Sequence, residues 1–509
     1  MQMDAVVILL ILAFPIASVY VLFYHKKRVD GLSEPPGPPG LPFIGNFYQL
    51  YKAPCIHEYL CTLSKRYGSL MTLRMGSVPI LVVSSPKMAK EVLKTQDLAY
   101  CSRPMMTGMQ KLSYNGLDVA FSPYSEHWRQ VRKFCTLELF TQKRAQIDFR
   151  HVHEQEVSRM IARLSETAAA SKDVNAFECF SNLATSIISR VAFGKRHDED
   201  GIGKERLQRM LSELDTMLSV YFVSDFFPMF GWIDSLTGMR ARLDRTFKEM
   251  DMFYEELIDD HLKPDRPESL TEDIIDVMLK NKGCSSSSLT KDTMKAILLN
   301  VFNGGTGTSA SLLVWAMTAL MRNRGVMKKV QEEIRSVIGK KGNVDEDDIQ
   351  NLPYLRAVVK ETMRLYPTGA LLIPRKTIES SIIGEDKDHM YMIKPKTLVY
   401  VSMWAIGRDP EIWKNPMKFV PERFLERHDI NYQGQQFEYI PFGAGRRICP
   451  GIHLGLTTVE LALANLLYTF NWEPPVGTRF EDINDETVNG ITLQKKNALY
   501  IRPKTYMFS

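Results

Sequence analysis

Cysteine is scarce in this chain: 7 in 509 residues, at positions 55, 61, 101, 135, 179, 284 and 449, with no C-x-x-C pair. An odd, unpatterned set excludes a disulfide framework, a ferredoxin-type cluster and a structural zinc site, and it fits a reducing compartment. Charge of one sign is also in short supply. A net charge of +5 argues against a protein that lives on phosphate contacts, so nucleic acid is excluded as a partner while a local basic patch stays open. The sequence has no G-x-G-x-x-G dinucleotide signature and no internal repeat. What remains is ordinary globular composition, 45% hydrophobic and 24% charged, on a chain long enough for one large domain or several.

The exception lies at the N-terminus. Ala5–Tyr24 is a low-polarity run of 20 residues, enough to cross a bilayer as a helix despite Pro15. Asp4 precedes it and His25-Lys26-Lys27-Arg28 follows, which places the body of the protein on the cytoplasmic side. A cleaved signal peptide would carry its positive charge first and a small-residue cleavage site after, and neither is present. Residues 1–28 therefore read as a membrane anchor with its basic stop. Residues 29–46, containing Pro35–Pro42, read as a stiff proline-rich hinge, with a flexible linker as the alternative.

Beyond the hinge, Leu70–Ser84 predicts two short strands around a Gly-Ser turn. From about Lys87 helical patterns dominate, and Val326–Ile338 places Val330, Ile334, Val337 and Ile338 on one face. Strands are expected again over Ile373–Ser381 and Thr397–Ala405. A serine-rich loop, Cys284–Ser288, precedes a long helix over Thr290–Arg322 that is apolar nearly all round and so buried on every side. Its middle reads Gly304-Gly305-Thr306-Gly307-Thr308-Ser309. An interior glycine costs about 1 kcal/mol relative to alanine, so three together need a reason: either a bulky flat group approaches, or another helix crosses. Thr308 can also bond back to the preceding turn.

The most informative segment is Phe442-Gly443-Ala444-Gly445-Arg446-Arg447-Ile448-Cys449-Pro450-Gly451. It sets one cysteine after a glycine-rich basic loop and before a helical pattern through Leu454, Thr458 and Leu461. A thiolate at a helix N-terminus is expected to have a lowered pKa. Gly443, Gly445 and Gly451 let the backbone curl around something flat, and Arg447 supplies a fork for a carboxylate. This combination suits the axial ligand of a haem whose propionates need a cation. His127 and His453 have no partner at metal spacing.

This segment resembles the haem-binding signature of the cytochromes P-450, and the resemblance extends over the whole chain. Pro35–Pro42, Leu112–Asp118 and Phe226-Phe227-Pro228 are similar to the A-type branch of land plants. The resemblance implies a mainly α fold with a small β-rich lobe behind the N-terminal transmembrane helix, with 47–509 as the haem-binding catalytic domain. It implies haem b with iron on Cys449 and Trp128, Arg132, Arg375, Arg447, Phe442 and Gly445 in cofactor contact. It also implies a catalytic stretch of Gly305, Gly307 and Thr308. Glu361 and Arg364 would form a structural network with Arg423 of Pro421-Glu422-Arg423-Phe424, and a buried network of that kind must be fully bonded. Gly304, Ala370, Leu371, Ile373 and Ile491 are expected to touch substrate.

The implied activity is monooxygenation of a lipophilic plant specialised metabolite, a terpenoid, alkaloid, phenylpropanoid or aldoxime derivative. O2 is the co-substrate, and electrons come from NADPH through a separate cytochrome P-450 reductase, with cytochrome b5 as a second candidate donor. The location implied is the endoplasmic reticulum membrane, single-pass, with the catalytic domain cytoplasmic. Arg129, Lys133, Lys143 and Arg144 are candidates for a basic docking face, or a plain solvated one. The aromatic stretch Tyr221–Trp232 is either a membrane-dipping mouth or a packed loop. One departure matters: the family usually carries an acid before the threonine of the long helix, and here Gly307 stands there. Dehydration, rearrangement or oxidative coupling without oxygen insertion therefore stays open as an alternative. A haem carrier or gas sensor is the rival outside enzymes. The segment Gly384–Ile393 is longer than the family's usual turn.

Overall fold

The structure is a computed structural model that describes residues 32–196, 201–266, 271–281, 289–386 and 389–507, the side chains of 201–205 excepted. The anchor at 1–28 and the serine-rich loop at 284–288 fall outside these residues. Among the described residues no single helix is long and apolar enough to cross a membrane.

The alternation in Leu70–Ser84 produces β1 (Leu70–Met75) and β2 (Val78–Val83), paired antiparallel with Leu70 opposite Val83. Gly76 makes their turn at φ +56°, and a Cβ there would lie 2.4 Å from the Phe226 carbonyl oxygen, so the site excludes any larger residue. Among the later strands, those of this lobe are β3 (Arg375–Lys376), β4 (Ser381–Gly384), β5 (Met390–Ile393) and β6 (Leu398–Val401). β2 pairs in parallel with β6, and β6 pairs antiparallel with β3. The strands expected over Ile373–Ser381 and Thr397–Ala405 are thus shorter than the pattern suggested. Pro374 has no N–H to give a ladder, and Ala405 bonds back to the capping Ser402 hydroxyl in one helical turn, Met403–Ile406. The long segment Gly384–Ile393 belongs to the β4–β5 hairpin.

The proline-rich residues are seated on this sheet. The Pro36 carbonyl accepts from Thr72 N at 2.8 Å, and a Cβ at Gly37 would lie 1.8 Å from Thr72 O. Asn46 Nδ2 donates to the carbonyls of Pro38 and Pro39.

Helices make the larger body. Those that build the site are α1 (Glu126–Phe134), α2 (Arg150–Ala169), α3 (Ala176–Phe193), α4 (Met239–His261), α5 (Lys291–Arg322), α6 (Arg324–Ile338), α7 (Pro353–Leu365) and α8 (Ile452–Thr469). α5 starts where its sequence says: Thr290 Oγ1 accepts from Thr293 N at 3.1 Å, and Asp292 and Arg322 complement the two ends of its dipole. On α6, Val330, Ile334 and Ile338 are buried, but Val337 is 48% exposed. Val337 is the correction: it follows Ile334 by three residues on the rim of the stripe, where α6 turns to solvent.

Two apolar clusters result. Phe302 and Trp315 of α5, Val358 of α7 and Leu466 of α8 lie in the larger one. Leu81, Val83, Val399 and Val401 of the sheet lie in the smaller one, together with Phe437, Ile440 and Ala444. Each large side chain buried there contributes about 1.5–3 kcal/mol. The residues leading to Cys449 therefore sit in the sheet-side core while the helix after it enters the helical core. The cysteine loop spans the seam.

Candidate active site

The loop before α8 is closed by its own backbone. Cys449 N donates to Phe442 O at 2.9 Å, Gly443 N to Ile440 O at 2.8 Å and Ile448 N to Gly445 O at 3.1 Å. Gly443 and Gly445 have φ of +73° and +69°, and a Cβ at Gly445 would lie 2.0 Å from Leu93 O. Phe442 packs edge-on to Tyr432 at 5.6 Å. Cys449 precedes the Gly451 cap of α8 by two residues and is half-buried. Burial pushes its thiol up, opposed by the Gly451 backbone N–H and the Arg132 charge. Desolvation thus opposes the lowering that the helix start favours.

Four arginines converge beside this loop. Arg447 Nε donates to Cys101 O at 2.9 Å and Nη2 to Ser122 O at 2.7 Å, and the guanidinium lies 3.8 Å over the Trp128 ring. Arg132 Nη2 donates to Ile448 O at 2.6 Å. Arg103, which the sequence reading missed, is buried and donates to Ala120 O at 3.0 Å and Pro374 O at 2.9 Å. Arg375 Nη2 reaches Ala444 O at 3.2 Å, while its Nη1 is buried with no hydrogen-bond partner. Burial, with Arg375 adding repulsion, pushes Arg447 down to about 9, and burial takes Arg375 down to about 10. A crowd of buried cations with an orphaned N–H is a site built for an anion. Trp128 donates its indole N–H to Val119 O at 3.0 Å, and its ring is the platform under Arg447.

α5 has an unusual middle. Gly304 is exposed and Gly307 and Thr308 half-buried within a helix whose flanking turns are buried. A Cβ at Gly304 or Gly307 would meet no atom within 4 Å. At Gly305 it would lie 2.3 Å from Ile188 Cδ1 of α3. The helix-crossing reading therefore holds at Gly305, while Gly304 and Gly307 leave space beside the helix. Gly305, grouped with the catalytic stretch in the sequence, is the glycine that lets α3 cross, and Gly304 and Gly307 bare the backbone. The Thr308 hydroxyl donates to Gly304 O at 2.6 Å. The segments expected to touch substrate are tied to the same helix. Leu493 N donates to Thr368 O at 2.8 Å, and Leu493 O accepts from Ser311 and from Trp315 Nε1. Leu371, Ile373 and Ile491 are half-buried and Ala370 is buried.

The carboxylate network is complete. Arg364 holds both Glu361 oxygens, at 2.7 and 2.8 Å, and Arg423 Nε reaches Glu361 Oε1 at 3.1 Å, as does Val420 N at 2.8 Å. The remaining guanidinium N–H groups go to the carbonyls of Gly407, Pro416, Lys418 and Lys414. Glu361 and Arg364 are buried, and every group in the triad is bonded, as a buried ion network requires.

The four-cation face is not formed as a unit. Arg129 pairs with Glu126, and Arg144 is half-buried against Glu272 O, which leaves Lys133 and Lys143 exposed. The aromatic stretch divides: Phe222 and Phe226 are buried, while Met229, Phe230 and Trp232 are exposed.

A donor set of one cysteine in a glycine loop, with an anion cradle beside it, fits a haem held through sulfur and propionates. The comparisons agree. The family model for cytochrome P-450 matches residues 35–502. The chain is 87% identical over 505 residues to 5-OH-xanthotoxin synthase of Pastinaca sativa, covering 99% of this chain and 100% of that one. It is 82% identical over 506 residues to 6,7,8-trihydroxycoumarin synthase and 72% identical over 505 residues to xanthotoxol synthase, both of the same plant, each match covering 99% of this chain and 100% of the relative. With matches of this length lying over the very loop, cradle and helix that the geometry singles out, the chain belongs to the cytochrome P-450 family and is a monooxygenase of plant specialised metabolism.

Proposed function

We propose that this enzyme hydroxylates a coumarin or furanocoumarin, the phenylpropanoid branch of the substrate classes the sequence left open. The observation that carries this is the 87% identity, end to end, to a protein named for a hydroxylated furanocoumarin. The names of the other two relatives point the same way, and none favours the dehydration, rearrangement or coupling alternative.

Haem supplies the activation of O2, with thiolate donation favouring O–O cleavage. The residues that would hold it are Cys449, through its sulfur, and Arg375, Arg447 and Arg132, whose guanidiniums would pair with its carboxylates. The orphaned Arg375 Nη1 supports that assignment. Phe442, Gly445 and Trp128 shape the loop and the cradle. On α5 Thr308 offers a hydroxyl already bonded to Gly304 O, and no carboxylate stands at Gly307. A proton reaching Thr308 must therefore pass from ordered water or from a hydroxyl of the substrate. Gly304, Ala370, Leu371, Ile373 and Ile491 line the approach with apolar surface, and the flat ring of a coumarin suits the bare backbone at Gly304 and Gly307. Residues 1–28 serve as the anchor and 29–46 as the hinge, with 47–509 on the cytoplasmic face of the endoplasmic reticulum. The exposed Met229, Phe230 and Trp232 support contact with the membrane surface. Electrons come from NADPH–cytochrome P-450 reductase, with cytochrome b5 as a second donor.

The test is expression of the full chain with a plant reductase in microsomes, fed xanthotoxin, a dihydroxycoumarin and an unsubstituted furanocoumarin under labelled O2. Hydroxylated product carrying one labelled oxygen is expected. Turnover that needs no O2, or none on any coumarin, would overturn the proposal.

A further inference from the structure

Arg447 stands two residues before Cys449, and its position depends on a short stretch with no regular structure. Two of its three acceptors, Val119 O at 3.4 Å and Ser122 O at 2.7 Å, belong to Val119–Ser122. Val119 O also takes the Trp128 indole N–H. Backbone that must present carbonyls in a fixed direction needs its own N–H groups held. Here α5 holds them. Asn300 Oδ1 accepts from Val119 N at 2.9 Å and Ala120 N at 3.0 Å. Asn300 Nδ2 donates to Asp118 Oδ2 at 2.8 Å, and the two oxygens of Asp118 accept from Phe121 N at 3.0 and 3.1 Å. Asp118 is fully buried. Asn300 lies one helical turn before Gly304 on α5.

We propose that Asn300 and Asp118 are positioning residues for the reaction. Together they clamp Val119–Ser122 so that its carbonyls hold Arg447 on Trp128, and so join α5 to the loop that carries the haem ligand. Both residues act through the Val119–Ser122 backbone. The donor pattern is specific. Asn300 must accept twice and donate once, and Asp118 must only accept. Asn300→Asp sets two acceptors face to face, and Asp118→Asn sets two donors face to face. Exchanging both restores the match. The carboxylate now on α5 accepts from the loop, and the amide now on the loop donates to that carboxylate while its oxygen still accepts from Phe121 N.

The proposal rests on the haem reading of the Cys449 loop, and the experiment separates the two. Full-length holoprotein is mixed with excess apomyoglobin, the rate of haem loss is followed, and the carbon monoxide spectrum is recorded alongside. Asn300→Ala, Asn300→Asp and Asp118→Asn should each speed haem loss about tenfold, the usual scale for losing a residue that orients a ligand-holding group. The Asn300→Asp/Asp118→Asn exchange should return the rate to within about twofold of wild type. Adding Asn300→Ala to Arg447→Lys should speed loss no further than Arg447→Lys alone. Wild-type haem loss in Asn300→Ala with a lowered melting temperature would show a residue that only packs, and would overturn the proposal. So would an exchange no better than its single variants. If Asn300→Ala yields no folded protein, the exchange decides alone. Wild-type protein that binds no haem would instead overturn the haem reading.

Discussion

At position 307 an added carboxylate has room. A Cβ there would meet no atom within 4 Å, so Gly307→Asp should fold without rearrangement. Its acid could pass protons to Thr308, whose hydroxyl is one residue along, and reduce the peroxide leaked per NADPH by about two- to fivefold. Measuring product and peroxide per NADPH checks this, and tightly coupled wild-type turnover that Gly307→Asp worsens would show that water or substrate already supplies the proton well. Gly305 gives the contrast. Gly305→Ala must push Ile188 aside in a packed crossing, at a cost of about 1–3 kcal/mol, and a melting temperature that stays at the wild-type value would refute that reading. Cys449→Ser should abolish the thiolate-type carbon monoxide spectrum, whereas alanine at Cys55, Cys61, Cys101, Cys135 or Cys179 should not. Retention of that spectrum in Cys449→Ser would place the iron ligand elsewhere.

At the scale of elements, two buried carboxylates show opposite designs. Glu361 joins α7 to the Lys414–Arg423 segment through two guanidiniums and a backbone N–H, all bonded. Glu361→Gln leaves two buried cations short of a counter-charge, which should cost about 3–5 kcal/mol. The yield of haem-loaded protein should collapse, and a stable, haem-loaded Glu361→Gln would contradict this. Asp118 has hydrogen bonds but is raised to about 6, chiefly by burial. A folded-state pKa above the unfolded value means the folded protein binds the proton more tightly. The stability this group contributes is therefore full below about pH 4 and is lost as pH rises through about 6, by roughly 3 kcal/mol. Asp118→Asn should remove that slope from the unfolding free energy between pH 4 and 6, and identical slopes in both proteins would show that Asp118 titrates normally.

On the scale of the whole molecule, the described core begins well inside the chain. The two apolar clusters and the cysteine loop between them are built from residues beyond 47. Deleting residues 1–28 should move most of the protein out of the integral-membrane fraction and leave haem binding intact, as fractionation and the carbon monoxide spectrum would show. Residual peripheral binding is expected from Met229, Phe230 and Trp232, and loss of haem on truncation would make the segment part of the folded body.

What the sequence determined by itself is what local chemistry dictates. The bounds of α5 were legible because Thr290 is a cap and Arg322 a last-turn cation, and the β1–β2 hairpin because its alternation brackets a Gly-Ser turn. The cysteine loop and the Glu361–Arg364–Arg423 triad were legible because residue type and order specify them. Tertiary structure decided what depends on which neighbour arrives. Three glycines of one helix look alike in the sequence, and only the arrival of Ile188 makes Gly305 a packing residue and leaves Gly304 and Gly307 bare. Trp128 became the platform under Arg447 because the Val119 carbonyl claimed its N–H. Arg103, Asp118 and Asn300 went unnoticed although a polar residue in an apolar helix and an acid in a small apolar stretch were both visible. Their partners lie about 180 residues apart for Asn300 with Asp118 and 270 for Arg103 with Ile373, and nothing local to either residue names the other. The Cys449 thiol follows the same rule: its helix start argues for a low pKa, and only the fold supplies the burial that opposes it and the Arg132 charge that favours it.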